Sequence, residues 1–143
     1  MSPVDQTLIE RKLIQLTERI NHLQRYASEG WEPYRTNLER RKTTEKFLQE
    51  MIEAAIDVNT HVLVESKGSI PQDYFSSFTK LGELGWISED LASKLAPSTG
   101  LRNRLVHQYS EIDDQKIFNI ISSELKWFKD YVHSIRKQLK AKP

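Results

Sequence analysis

Leu8, Ile9, Leu13, Leu16, Ile20, Leu23 and Ala27 follow one another at intervals of mostly three and four residues. A half-buried strand would place its apolar residues at every second position, so this spacing dictates an amphipathic helix with one buried face. The pattern recurs at Leu38, Phe47, Leu48, Met51, Ile52, Ala55, Ile56, Val62 and Leu63, and again at Ile117, Ile120, Ile121, Leu125, Phe128, Val132 and Ile135. No alternating run is long enough to make a strand. The chain therefore reads as an all-α bundle, with two long antiparallel helices, shorter helices after them, and a long C-terminal helix.

Punctuation residues divide these runs. Gly30 and Pro33 stop the first helix, and the second extends from about Tyr34 to Glu65, ending near Gly68. Pro71 suits the first turn of a short helix holding Tyr74, Phe75, Phe78 and Leu81, which Gly82 and Gly85 close. Ser88 is placed to cap the next segment, with Glu89 and Asp90 favourable against the helix dipole. Pro97 implies a kink or restart before a helix that runs to about Tyr109. Asp113 or Asp114 caps the last one, whose lysines and arginines crowd the C-terminal end.

A length of 143 residues suits a single domain, 1–143, with one core. With 21 basic against 20 acidic side chains, no global field draws nucleic acid or an anionic membrane, so any attraction is local. The absence of cysteine excludes disulfides, thiolate metal sites and a cysteine nucleophile. The first thirty residues lack the apolar core of a signal peptide, and no run approaches the roughly 20 apolar residues of a membrane helix. The expectation is a soluble cytoplasmic protein with no membrane partner.

Chemistry concentrates in GLRNRLVHQYSE, residues 100–111, where two arginines, an asparagine, a histidine and a tyrosine interleave with Leu101, Leu105 and Val106. On a wheel of about 100° per residue, Arg102 falls between Leu105, Val106 and Tyr109. A guanidinium there needs an anion or a water-filled cleft, because burial without a partner costs several kcal/mol. A carboxylate of a neighbouring helix, such as Asp57, would satisfy it. Asn103 and His107 share a face one turn apart, whereas Arg102 and His107 lie roughly 140° apart. They converge if the arginine reaches round, the helix deforms, or a second molecule completes the site. An imidazole exchanges protons near neutrality, and a guanidinium offers a charged fork to phosphate oxygens. The set suits a phosphodiester.

Arg102, four residues, His107, one residue and Tyr109 resemble the arginine, histidine and tyrosine motif of the HepT-type branch of the HEPN (higher eukaryotes and prokaryotes nucleotide-binding) ribonucleases, toxins of prokaryotic toxin-antitoxin pairs. Gly100, Leu101 and Asn103 look like the family too, as do RRKTTEKFLQEMIEAAIDVNTHV and PQDYFSSFTKLGELGWISEDLASKLAPSTG. The likeness extends over roughly residues 8–136. It implies a HEPN-like helical bundle that forms a homodimer, with the motif helices near the twofold axis and a composite cleft between them.

The implied activity is metal-independent cleavage of an RNA substrate by its own 2′-hydroxyl, leaving a cyclic phosphate and needing no cofactor. In that scheme His107 and its symmetry mate serve as acid and base, and Arg102 holds the phosphate. Asn103 and Tyr109 position the substrate. Tyr109 is also the residue that resembles the AMPylation target of a nucleotidyltransferase (MntA-type) antitoxin, in a type II or type VII-like pair; a nucleotide phosphate beside Arg102 would fill its anion site. The alternative is a noncatalytic helical adaptor, or nucleotide-binding partner, of such a nucleotidyltransferase. Arg104 and Gln108 depart from the residues expected at those variable positions.

Other groupings compete with this one. Asp57 and Asn59 are placed to support Arg102 from behind or to line the cleft. Glu53, Asp57 and His61 repeat every four residues, either as a metal site or as a solvated polar row. Arg35, Arg40, Arg41 and Lys42 make a positive patch, either a solvated helix face or an RNA backbone contact. His22, His61 and His133 lack motif context and read as surface or packing residues. Trp31, Trp86 and Trp127 are expected to pack, with partial exposure the alternative for Trp86 after Gly85.

Overall fold

The computed structural model describes residues 4–67, 70–107 and 112–141. All regular structure among the described residues is helical: α1 (Gln6–Glu29), α2 (Trp31–Arg35), α3 (Leu38–Lys67), α4 (Tyr74–Glu83), α5 (Glu89–Leu95), α6 (Ser98–His107), α7 (Asp114–Ser123) and α8 (Leu125–Ala141). None of them is long and apolar enough to cross a membrane.

Cross-helix pairs fix the directions of the three long helices. Asp5 donates its backbone N–H to His61 Nε2 at 3.1 Å, Lys12 meets Asp57 at 3.1 Å, Arg19 meets Glu50 at 3.1 Å, and Arg40 bonds to Glu29. Residue numbers climb along α1 as they fall along α3, so the two are antiparallel. Helix α8 also opposes α1, because Arg136 pairs with Glu10 at 2.7 Å and Gln6 donates to the Leu139 carbonyl at 3.3 Å. The buried stripe of α1 (Ile9, Leu13, Leu16, Ile20 and Leu23) packs into the core with the buried apolar residues of α3 and α8.

A buried polar network links the last helix to the fourth. Tyr131 Oη of α8 bonds to the Ala55 carbonyl and to Asn59 Oδ1 of α3, and Asn59 Nδ2 donates to Ser77 Oγ of α4 at 3.2 Å. Ser77 Oγ in turn donates to the Tyr74 carbonyl at 2.7 Å. Burial pushes the Tyr131 phenol well above its ordinary value, so it stays a neutral donor. At Gly82 an added Cβ would lie 2.9 Å from Ala92 Cβ, so glycine lets α4 approach α5 closely.

Several boundaries differ from those the periodicity implies, each for a local reason. Helix α1 does end before Gly30, whose φ of 97° is in the region that favours glycine, but Pro33 then lies inside α2 rather than stopping anything. The expected second helix is two, because Thr36 ends α2 and Asn37 Oδ1 accepts from the Arg40 N–H at 3.0 Å to start α3. Pro71 precedes α4, which is capped by Asp73 in a box with Ser76. The long return is broken at Glu124, yet its buried positions Ile121, Leu125 and Phe128 keep the helical interval across the break. Ser88 and Asp113 cap α5 and α7 as expected. Trp86 is 4% exposed and belongs to the core.

Candidate active site

Helix α6 packs against α3 through Leu101, and its next residue aims a guanidinium at the α3 surface. Arg102 Nε and Nη2 both donate to Glu53 Oε2, at 3.1 and 2.9 Å, and Nη1 donates to Asn103 Oδ1 at 3.3 Å. Gln49 reaches the other oxygen of Glu53 at 3.5 Å, and the Tyr74 ring of α4 lies 5.5 Å from the guanidinium carbon. The Arg102 side chain is 20% exposed. Charge compensation and an opening to solvent, which the sequence posed as alternatives, thus occur together.

Asp57 is not the partner of Arg102; it is an exposed residue paired with Lys12, one helical turn beyond Glu53 along α3. Asn59 neither lines a cleft nor accepts from Arg102. It is fully buried, and its amide is committed to Tyr131 and Ser77. Glu53, Asp57 and His61 separate into three engagements with Arg102, Lys12 and the Asp5 amide. Among the described residues no cluster of three or more metal-binding side chains forms.

His107 stands exposed in the last turn of α6. Among the described residues no hydrogen bond joins it to Arg102, while Asn103 does touch Arg102. Five residues of helix separate His107 from Arg102 by about 7.5 Å along the axis. Tyr109 lies outside the described residues. Exposed aromatic surface flanks the guanidinium, since the nearby Tyr74 ring is 48% exposed, and Phe75, the next residue of α4, is 50% exposed.

Glu53 and Tyr74 are neighbours of Arg102 that residue spacing alone does not reveal. The four-residue repeat through Glu53 was legible, but only the α3–α6 contact decides which of its carboxylates faces the arginine. The positive patch is neutralised member by member: Arg35 pairs with Glu32, Arg40 with Glu29, Arg41 with Asp114 and Lys42 with Glu45.

His22 is not an isolated surface residue. It bonds to Tyr26 Oη at 2.9 Å and lies edge-on to Phe47, with ring centroids 5.0 Å apart. Burial, then the nearby charges of Arg25, Arg19 and Arg40, lower its pKa below the ordinary imidazole value. The unfolded chain therefore takes this proton first as pH falls, so stability declines from the ordinary histidine value down to the depressed one. His22→Gln is expected to flatten the loss of stability that sets in as pH falls below the ordinary histidine value. Urea midpoints measured across that window check it; equal losses in both proteins would refute the assignment.

The HepT-like family model, described as ribonuclease HepT-like, matches residues 3–135. A tRNA nuclease HepT of Aphanizomenon flos-aquae is 34% identical over 139 residues, spanning 97% of this chain and 95% of that protein. An mRNA nuclease HepT of Shewanella oneidensis is 31% identical over 91 residues, spanning 64% of this chain and 68% of that protein. The solved tri-AMPylated Shewanella oneidensis HEPN toxin, in complex with an MNT antitoxin, has the same fold at a TM-score of 0.84 and 24% identity, covering 93% of this chain and 99% of that one.

Proposed function

The chain belongs to the HepT-like ribonuclease family, and on that premise we propose that it is a metal-independent endoribonuclease toxin of the cytoplasm. It works as a homodimer and is silenced when an MntA-type nucleotidyltransferase antitoxin AMPylates Tyr109. The observation that carries this reading is Arg102, held at the α3–α6 contact with one side open, on the same helix as an exposed histidine.

One chain leaves His107 and Arg102 pointing differently, and a second copy completes the set. The exposed Tyr74 beside Arg102, followed on α4 by the exposed Phe75, supplies apolar surface for that copy to cover. In the cleft, one His107 takes the proton of a ribose 2′-hydroxyl, whose oxygen then attacks the adjacent phosphorus. The bond to the 5′-oxygen breaks, and His107 of the second copy returns a proton to that oxygen. The products are a 2′,3′-cyclic phosphate and a 5′-hydroxyl end. Arg102 stabilises the charge that builds on the phosphoryl oxygens, and Asn103 and Tyr109 position the strand.

The direct test is cleavage of tRNA and of single-stranded RNA by purified protein in EDTA, with the new ends identified chemically. Cyclic phosphate ends are expected. If EDTA abolishes cleavage, metal independence fails. If RNA is never cut but Tyr109 gains AMP from the nucleotidyltransferase and ATP, the protein is the noncatalytic adaptor.

A further inference from the structure

We infer that Glu53 is a positioning residue of the cleavage site: it holds Arg102 by one edge so that the other edge meets the phosphate. This rests on the nuclease reading above and adds to it a residue outside the arginine, histidine and tyrosine motif.

A guanidinium carries five N–H donors in a rigid fork. Glu53 Oε2 takes the Nε donor and one on Nη2, and Asn103 Oδ1 takes one on Nη1. Two donors remain, one on each terminal nitrogen. Both terminal nitrogens thus keep a donor for phosphate oxygens.

Glu53 is itself held in place. Its second oxygen is reached by Gln49 one turn back on α3, and its side chain is 35% exposed. The carboxylate therefore sits on a long helix rather than on a loop, which gives the guanidinium a rigid reference. The Tyr74 ring packs near the guanidinium and narrows its remaining freedom. An arginine free to rotate would still attract RNA, but it would spend little time in the one pose that stabilises the transition state.

Glu53 also places a negative charge beside the phosphate site. It opposes ground-state binding while fixing geometry, and these two effects have opposite kinetic signatures. Glu53→Gln removes the charge and weakens the clamp. The turnover number kcat is expected to fall about 10- to 100-fold, while KM stays level or drops because an anion repelling the RNA has gone.

The experiment uses full-length wild type, Glu53→Gln, Arg102→Ala and the double variant, on a fluorogenic single-stranded RNA oligonucleotide. Thermal unfolding of each protein is followed in parallel. If Glu53 acts through Arg102, the double variant matches Arg102→Ala to within about twofold. The inference is overturned if Glu53→Gln keeps wild-type kcat, if only KM rises, or if the substitution costs the same factor with and without Arg102. Should wild type fail to cut while remaining folded, the nuclease reading falls first and this one with it. Glu53→Asp, which withdraws the carboxylate by one methylene, carries the same comparison if Glu53→Gln does not fold.

Discussion

His107→Ala is expected to reduce RNA cleavage roughly a hundred- to ten-thousandfold with little change in stability. The side chain is exposed at the end of α6, so its removal opens no cavity. In the proposed homodimer one substitution removes both imidazoles, and with them proton transfer at both ends of the proposed reaction. Arg102→Ala is expected to cost about a hundred- to a thousandfold in kcat through lost charge stabilisation. It also strands the partly buried Glu53 carboxylate, so a drop in melting temperature should accompany it. Single-turnover cleavage, with circular dichroism as the control for folding, separates the two. Variants that cut as fast as wild type would assign the activity to a contaminant. The proposed sharing of the site between two copies adds a concentration test: below the dimer dissociation constant, the rate should fall faster than the protein concentration.

The helices were legible because each must bury a stripe against its neighbours, and apolar spacing records that need directly. The same logic explains the errors. The apolar interval passes unbroken through Glu124, so a backbone break there leaves no trace in the pattern. Asn37 separates α2 from α3 by a side-chain hydrogen bond, which periodicity does not register. At the site, the wheel placed Arg102 among apolar neighbours and called for an anion or an opening to water, and the structure supplies both. The wheel could not choose between Asp57 and Glu53, which lie one turn apart on α3 and differ in the helix each faces. Asn59 shows the opposite failure, since a polar residue near a suspected site suggests function, whereas here it satisfies buried hydroxyls.

Asn59→Asp is expected to be strongly destabilising although nearly isosteric, costing about 3–5 kcal/mol near neutral pH. Asn59 is wholly buried, and its amide does two different jobs. Its oxygen accepts from Tyr131 and its nitrogen donates to Ser77, whose hydroxyl hydrogen is already given to the Tyr74 carbonyl. A carboxylate keeps the first bond but sets an acceptor against the Ser77 oxygen, and it buries a charge with no cation bonded to it among the described residues. For a chain of this size, the melting temperature should fall on the order of 10 °C. Burial raises the new carboxyl's pKa above its unfolded value. The deficit is therefore smallest below the unfolded carboxylate value and grows as pH rises through the folded one. Tyr131→Phe removes a single hydroxyl from the same network and should cost only about 1–2 kcal/mol, with no such pH dependence. Thermal melts at acidic and neutral pH distinguish the pair. If Asn59→Asp were no worse than Tyr131→Phe, or equally poor at both pH values, the buried network would not be what ties α8 to α4. Because that network ends on the Tyr74 carbonyl, its rupture should also loosen the ring beside Arg102, so residual activity should fall more than the folded fraction does.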